Sequence, residues 1–139
     1  FYVSEQQLID SFNERAPGFI KMLGGRVVAV DTGAKSCSFE FDIGVEFCHS
    51  VDVVQGGFVT AMLDAAMSHA AFSLEPELGG VSSLEIKTSY LEPTRAGKLR
   101  VEGRVLKSGY KLVFLEGRLY DASGMLTATT NSVAKLVRN

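Results

Sequence analysis

The stretch that decides the fold is Gly56–Leu74, which reads GGFVTAMLDAAMSHAAFSL. It is rich in alanine and methionine and nearly apolar all round, although Asp64 and His69 bring ionisable groups into it. A helix that is apolar on most of its faces is predicted to be buried rather than to lie on the surface. We expect Pro76 and Gly79-Gly80 to end this helix, because proline and glycine both disfavour its continuation.

Shorter elements flank the predicted central helix. Ser4–Gln7 has the spacing of a capping box and predicts a first helix over Ser4–Ala16. A short turn is expected over Phe19–Leu23, and Gly44–Gln55, which lacks a clear period, is predicted to be a loop. Alternating or β-branched runs predict six strands: Arg26–Asp31, Lys35–Ile43, Val81–Leu91, Lys98–Lys107, Lys111–Asp121 and Met125–Val137.

This order of elements predicts an α+β fold in which one antiparallel sheet of about six strands curls around the central helix. Ser108–Tyr110 and Ala122–Gly124 have turn chemistry, so the last strands are expected to form antiparallel hairpins. One sheet on one helix leaves two sheet edges that must be paired or protected. Pairing of edges between two subunits would protect them, and we therefore expect at least a homodimer.

Length and composition set further limits. The chain has 139 residues and a mass of 15.0 kDa, which predicts that residues 1–139 form one domain. With 46% hydrophobic and 22% charged residues it is too apolar for disorder. No run of about 18 apolar residues indicates a membrane span, so no membrane partner is expected. Cys37 and Cys48 are too few for a disulfide framework, which favours a reducing, cytoplasmic setting.

Charge is distributed unevenly along the chain. Residues 1–86 carry 4 basic and 12 acidic side chains, whereas residues 87–139 carry 10 basic and 4 acidic ones. The net charge of −2 argues against a nucleic-acid partner, for which a basic domain would be expected. The basic second half permits a local site for a small polyanion. Charges scattered over solvated strand faces would give the same distribution.

Asp64 departs from the apolar pattern of the central helix. An unpaired buried carboxylate is costly or changes its protonation, so this residue needs either a function or a polar partner. Helical spacing places small and partly polar residues beside it, namely Gly57, Thr60, Ala61, Met67, Ser68 and Ala71. A narrow groove along this stripe could admit a substrate. The alternatives are a carboxylate bonded to Thr60 and Ser68, or one that lies at a polar subunit seam.

Gln55, Gly56 and Gly57 begin the same helix. Free N–H groups at a helix N-terminus attract negative charge, and glycine lets a substrate oxygen approach the backbone, so this site could stabilise an oxyanion. The alternative is a junction that only needs glycine geometry. Gly57 and Asp64 lie two helical turns apart, about 10.5 Å, which is too far for both to touch one carbonyl. Two antiparallel helices at a dimer seam would bring the glycine of one subunit near the aspartate of the other.

The stretch Val53–Ala66 resembles the signature of the hotdog-fold acyl-CoA thioesterases. The nearest branch is the phenylacetate-pathway (PaaI-like) group, which includes the mammalian thioesterase-superfamily member 2 type. Its signature is His-Gly-Gly with an acidic residue seven positions after the second glycine, where this chain has Asp64. Val81–Pro93 and Gly97–Gly109 continue the resemblance, which covers most of the chain from about Gly24. It implies a hotdog fold and hydrolysis of an acyl-CoA or aryl-CoA to a carboxylic acid and free CoA, without a metal or redox cofactor.

The resemblance also implies roles for individual residues. The Gly57 N–H would polarise the thioester carbonyl, and Asp64 of the opposite subunit would act as general base or nucleophile. Ser83 matches a serine that positions the attacking water, and Arg95 is a candidate contact for the CoA phosphates. A turn that contacts coenzyme A in the family corresponds to Lys107, Ser108, Gly109, Tyr110 and Lys111. The expected assembly is a homodimer or a dimer of such dimers.

Two positions depart from the family pattern. Gln55 replaces the usual histidine, and it can orient a carbonyl or the loop but cannot shuttle a proton. His49 lies six residues earlier, where some relatives carry asparagine, and it either supplies a polar partner in the site or is a loop histidine bonded to backbone. An apolar acyl pocket is suggested by Phe58, Met62, Met67 and Phe72.

Other functions compete with hydrolysis. A non-hydrolytic acyl-CoA or hydrophobic-ligand binding protein on the same fold is supported by Gln55. A hotdog hydratase or dehydratase ranks last, because Asp64 has no helical histidine partner and His69 lies roughly 140° around the helix. A thiol nucleophile formed by Cys48 and His49 is disfavoured, since sequence neighbours rarely point at each other and no third group is evident.

Overall fold

In the part of the chain that the structure describes, the fold comprises three α-helices, a six-stranded antiparallel sheet and a small second sheet. The computed structural model describes residues 3–75 and 77–139. The helices are α1 (Glu5–Glu14), α2 (Gly18–Met22) and α3 (Gly56–Leu74), and the strands are β1 (Gly25–Asp31), β2 (Ser36–Ile43), β3 (Cys48–His49), β4 (Val53–Val54), β5 (Leu78–Tyr90), β6 (Gly97–Ser108), β7 (Leu112–Tyr120) and β8 (Leu126–Arg138). The main sheet has the order β1-β2-β6-β7-β8-β5, so β1 and β5 are its edges. This arrangement confirms the predicted α+β hotdog fold.

The sheet wraps around α3, which contacts β2, β5, β6, β7 and β8. Gly103 of β6 and Gly117 of β7 pair with each other beneath the helix. A Cβ at Gly103 would lie 2.3 Å from the backbone carbonyl of Ala66, and one at Gly117 would lie 3.1 Å from the side chain of Leu63. Glycine in these strands therefore lets the alanine-rich helix approach the sheet closely. Met62, Leu63, Ala66 and Met67 are fully buried there, which confirms the prediction of a buried central helix.

The first helix is capped and anchored as its sequence suggests. The Ser4 hydroxyl accepts a hydrogen bond from the Gln7 N–H at 3.1 Å, and the Gln7 side chain accepts one from the Ser4 N–H at 2.9 Å. Farther along, the Asn13 side chain donates to the Val27 carbonyl at 3.0 Å and accepts from the Val27 N–H at 2.8 Å. The predicted capping box is confirmed, and α1 is fixed against β1.

The predicted loop over Gly44–Gln55 was wrong in part, because it contains regular structure. A 3-10 turn covers Val45–Phe47, and β3 pairs with β4 in an antiparallel hairpin with His49 opposite Val53. Strands of two residues are too short to show a period in the sequence. This hairpin holds the chain immediately before α3.

The expected end of the central helix also needs correction. The helix ends at Leu74, but Gly79-Gly80 lie inside β5 rather than terminating the helix, and Pro76 lies outside the described residues. A Cβ at Gly79 would lie 2.3 Å from the side chain of Asn139, so the glycine allows the start of β5 to pass close to the end of the chain. Within residues 3–75 and 77–139, no helix has the length and apolar character needed to cross a membrane.

The four residues suggested as an acyl pocket do not line one cavity in the protomer. Met62 and Met67 are fully buried in the core between α3 and the sheet. Phe72 packs against His69, with ring centroids 6.0 Å apart, and Phe58 packs against Phe47 at 5.0 Å. That expectation was wrong because four apolar residues on one helix point to different sides of it.

Candidate active site

A cavity of about 580 Å³ opens at the N-terminus of α3. His49, Gln55 and Gly57, three of the residues singled out by the sequence, line it together. The β3–β4 hairpin positions the first two of them, and the last residue of β5 with the chain after it, Tyr90–Thr94, forms the facing wall. The fold therefore brings together residues that the sequence places more than thirty positions apart.

Gln55 is the N-cap residue of α3. Its backbone is extended, and its side-chain oxygen accepts a hydrogen bond from the Gly57 N–H at 2.8 Å. A Cβ at Gly57 would lie 2.8 Å from that same oxygen. Because a glutamine side chain ends in a carbonyl group, the Gly57 N–H already binds an oxygen of the kind that a thioester would present. The arrangement satisfies a helix-terminal donor and marks where an oxyanion could be bound.

Asp64 lies two turns further along α3 and is half-buried. Its Oδ1 accepts hydrogen bonds from the Ser83 hydroxyl at 3.3 Å and from the Ser68 hydroxyl at 3.4 Å. Burial raises the pKa of Asp64, while these two hydrogen bonds and the nearby His69 lower it. Thr60 and Ser68 were the two hydroxyl partners suggested for Asp64 in the sequence. Ser68 bonds to it, whereas Thr60 bonds to Thr88 and Tyr90. Asp64 is therefore a partly desolvated carboxylate with two hydroxyl donors.

An irregularity in β5 places Ser83 beside Asp64. The pairing between β5 and β8 shifts between Ser83 and Glu85, and Leu84 is left 60% exposed. A bulge of this kind changes the direction of side chains and is common near functional sites. Ser83 and Asp64 are thus joined by a hydrogen bond within a single protomer.

His49 and its neighbour Cys48 point to different partners. The His49 Nδ1 lies 3.1 Å from the Ser50 hydroxyl, while the Cys48 thiol lies 3.8 Å from the carbonyl oxygen of Gly44. Burial, together with the charges of Asp52 and Glu46, raises the pKa of the Cys48 thiol. A thiolate nucleophile activated by His49 therefore finds no support in the geometry, and neither does a histidine held by backbone.

His69 faces away from Asp64. Its Nδ1 lies 2.8 Å from the Ala65 carbonyl oxygen, and its ring packs edge-on against Phe12 and Phe39. Burial lowers the pKa of His69, which favours the neutral form of the ring. No hydrogen bond or ion pair joins it to Asp64 in the described part of the chain, in agreement with the helical spacing.

The residues predicted to contact CoA lie apart from the cavity in the protomer. Arg95 is the nearest, next to the cavity wall, and it forms an ion pair with Asp52 at 2.6 Å. The other five lie at the end of β6 and in the turn that follows it, and all are exposed: Lys107, Ser108, Gly109, Tyr110 and Lys111. The Tyr110 ring lies beneath the Arg138 guanidinium, 4.4 Å away. None of these five residues is among those that line the cavity.

Three hydroxyl groups form a cluster beside the cavity, and two of them, those of Thr88 and Tyr90, were missed in the sequence. The Tyr90 hydroxyl donates to the Gly56 carbonyl at 2.8 Å and lies 3.0 Å from the Thr60 hydroxyl, which lies 2.8 Å from that of Thr88. The available signal was the alternation of Thr88 and Tyr90, which places both side chains on one face of a strand. Without the register between β5 and α3, that face could not be matched to Thr60.

Residues 52–128 match the sequence profile of the thioesterase superfamily. The chain belongs to this superfamily. The matched region contains the whole of α3, the Gly57 and Asp64 positions, Ser83 and the turn between β6 and β7. The match includes every residue that lines the cavity except His49, and it also includes the residues predicted to contact CoA.

Comparisons with individual proteins support membership of the chain in the thioesterase superfamily. A Saccharolobus solfataricus protein that is provisionally named an esterase is 28% identical over 120 residues, which cover 86% of this chain and 84% of the relative. A Ralstonia eutropha crystal structure, described as a provisional thioesterase related to phenylacetic acid degradation, has a TM-score of 0.83 and 29% identity over 91% of this chain and 98% of that chain. The Escherichia coli PaaI protein, from the phenylacetic acid degradation operon, has a TM-score of 0.83 over 95% and 92% of the two chains, with 16% identity. At 16% identity, this last comparison shows only that the two chains share the hotdog fold.

Proposed function

We propose that this member of the thioesterase superfamily hydrolyses an acyl-CoA or aryl-CoA thioester to a carboxylic acid and free CoA. The observation that carries the proposal is the Asp64 carboxylate, half-buried and hydrogen-bonded to Ser83, on the helix that presents the Gly57 N–H at its start. In this reaction a C–O bond forms at the thioester carbonyl, the C–S bond breaks, and the CoA sulfur leaves as a thiol.

Asp64 supplies the base or the nucleophile. As a general base it takes a proton from the attacking water, whose oxygen Ser83 helps to position. As a nucleophile its carboxylate attacks the carbonyl carbon directly, and water then hydrolyses the resulting anhydride. In both routes the negative charge that develops on the carbonyl oxygen is stabilised by the Gly57 N–H, after Gln55 releases it.

A complete site requires two copies of the chain. Gly57 and Asp64 lie about 10.5 Å apart along one helix, which is too far for one carbonyl to contact both. The edge strand β5 has 13 residues, and its outer edge faces no strand in the part of the chain that the structure describes. We propose that two copies pair here, so that Gly57 of one protomer meets Asp64 of its partner, and that the assembly is a homodimer or a dimer of dimers.

The same dimer would bring distant basic groups to the substrate. Lys107 and Lys111 flank the exposed β6–β7 turn and can bind CoA phosphates, with Ser108, Gly109 and Tyr110 between them. Arg95 is a second candidate for binding the CoA phosphates, and its guanidinium would then contact both Asp52 and a phosphate. CoA enters as part of the substrate, and the proposal requires no metal or redox cofactor. We also propose that residues 1–139 form one domain. The free thiols of Cys37 and Cys48 favour a reducing compartment, for which we propose the cytoplasm.

Gln55 gives a specific reason to keep a second function in view. Its side-chain oxygen occupies the Gly57 N–H, so a substrate carbonyl must compete with it, and Gln55 cannot titrate. A protein that binds acyl-CoA without hydrolysing it would have this arrangement too. His49 lines the same cavity and is the polar group that could replace the histidine of the family signature.

Hydrolysis of a panel of short, medium, long and aryl acyl-CoAs tests the proposal. Loss of thioester absorbance is the appropriate readout, because the free thiol of Cys48 would interfere with thiol reagents. Asp64→Asn is the test variant, and Asp42→Asn, at an exposed carboxylate on β2, is the matched control. Hydrolysis that is lost in the first variant and kept in the second supports the enzyme. Tight binding of acyl-CoA without turnover by the wild type supports the binding protein instead.

A further inference from the structure

The peptide unit between Gly56 and Gly57 has hydrogen bonds on both sides. Its N–H is the Gly57 donor in the cavity, and its carbonyl is the Gly56 oxygen that accepts a hydrogen bond from the Tyr90 hydroxyl at 2.8 Å. These two groups belong to one planar unit, so whatever fixes the carbonyl also fixes the direction of the N–H.

The direction of every hydrogen bond behind this peptide is determined. The Gly56 carbonyl can only accept, so the single proton of Tyr90 is directed to it. The Thr60 hydroxyl, 3.0 Å from the Tyr90 oxygen, must then donate to Tyr90, and the Thr88 hydroxyl, 2.8 Å away, must donate to Thr60. The result is a chain of donors that runs from Thr88 through Thr60 and Tyr90 to the carbonyl. Such chains polarise each successive bond.

Gly56 is adapted to the same contact. A Cβ at this position would lie 3.1 Å from the Tyr90 hydroxyl oxygen and 3.2 Å from the ring carbon that carries it. These distances are too short for an unstrained contact, so a side chain here would push Tyr90 away from the carbonyl. The two glycines of the motif therefore have different tasks. Gly56 admits Tyr90 behind the peptide, whereas Gly57 leaves room in front of it for an oxygen acceptor, at present that of Gln55.

We propose that Tyr90 is a positioning residue, which holds the Gly56–Gly57 peptide and polarises its N–H toward the developing oxyanion. The inference rests on the proposed thioesterase function. Tyr90 lines the cavity, but its hydroxyl proton is directed to the Gly56 carbonyl, so the hydroxyl acts through the peptide and contributes mainly where charge develops on the substrate oxygen. Its removal should therefore lower kcat more than it changes KM.

The kinetic test uses Tyr90→Phe, which deletes the hydroxyl and keeps the ring. We expect kcat to fall by about 3- to 10-fold, as for the loss of one neutral hydrogen bond, with KM little changed. Thr88→Val should lower kcat less, and Thr88→Ser, which keeps the hydroxyl, should retain the wild-type value. Tyr120→Phe, which removes a tyrosine hydroxyl from β7, is the matched control. An unchanged kcat in Tyr90→Phe, or a loss confined to KM, would overturn the proposal.

A second readout does not depend on turnover. In protein labelled with nitrogen-15 at glycine, the Gly57 amide resonance should move in Tyr90→Phe and move less in Thr88→Val, while that of Gly18 stays in place. A Gly57 resonance that stays in place in Tyr90→Phe would show that Tyr90 does not hold this peptide. If the wild-type protein hydrolyses no thioester, the proposed function fails, and the Gly57 resonance still decides whether the contact exists.

Discussion

Ser83 in the edge strand donates a hydrogen bond to Asp64 in the central helix over 3.3 Å. The bond joins the sheet edge to the only carboxylate of α3, and the bulge at Ser83 in β5 makes it possible. A hydrogen bond donated to a carboxylate stabilises its charged form, whereas burial of Asp64 opposes it. Ser83 therefore acts on both the position and the protonation of the proposed catalytic group.

Removal of this hydroxyl should change both rate and pH dependence. In Ser83→Ala we expect kcat/KM to fall by about 3- to 10-fold and the pKa of Asp64 to rise further, because one of the two hydroxyl donors is gone. Ser82→Ala, at the adjacent exposed residue of β5, is the control and should behave as wild type. Equal effects of the two substitutions would mean that the serine acts through the strand and not through Asp64.

The pH profile should report the ionisation of Asp64. Only the carboxylate form can act as base or nucleophile, so kcat/KM should rise with pH through a pKa above 3.8, the ordinary value, because burial raises it. Burial lowers the pKa of His69 toward the same range, so the Asp64→Asn variant separates the two groups. This rise of kcat/KM with pH should be absent from any residual activity of Asp64→Asn. Its persistence in that variant would assign the titration to another group.

The same pKa shift predicts a stability cost. Folding raises the pKa of Asp64, so the folded chain binds this proton more tightly than the unfolded chain does. The free energy of unfolding should therefore fall as pH rises from 3.8 through the raised pKa. At neutral pH Asp64→Asn should melt at a higher temperature than wild type, and this advantage should vanish in acid. A variant that is less stable at every pH would contradict the direction of the shift.

A methyl group on Gly57 should block the site without harming the fold. In Gly57→Ala the added carbon meets the flexible end of Gln55 and lies in the path of the substrate oxygen. We expect kcat/KM to fall by about 10- to 100-fold, toward the loss caused by deleting an oxyanion donor. The melting temperature should stay or rise, since alanine favours a helix over glycine. Gly18→Ala, at the start of α2 with nothing within 4 Å of the added carbon, is the control. Activity close to wild type in Gly57→Ala would remove this N–H from the mechanism.

The sequence predicted the elements of the fold better than their contacts. The bounds of α3 follow from a continuous apolar stretch and those of the long strands from alternation of apolar and polar residues, and both are local properties. The β3–β4 hairpin was not predicted because its strands have two residues each. Gly79-Gly80 were wrongly expected to end the helix because glycine occurs within strands as well as at helix ends.

The candidate site was predictable only where a motif carried it. Gly57 and Asp64 share one helix, so their separation is fixed by helical geometry. The contacts of Ser83, Thr60 and Tyr90 depend on how β5 lies against α3, which no local pattern specifies. The misplaced acyl pocket has the same origin, since Met62 faces the sheet and not a cavity.

The most direct test is complementation between two variants that each impair one half of the proposed site. Gly57→Ala and Asp64→Asn, carrying different affinity tags, are co-expressed and assayed on the acyl-CoA that the wild type hydrolyses best. A mixed dimer holds one site with an intact Gly57 from one protomer and an intact Asp64 from its partner, and one site with both defects. We predict recovery of about a quarter of the wild-type rate, since half of randomly formed dimers are mixed and each has one working site. No recovery in purified mixed dimers would contradict a site shared between Gly57 and the partner's Asp64.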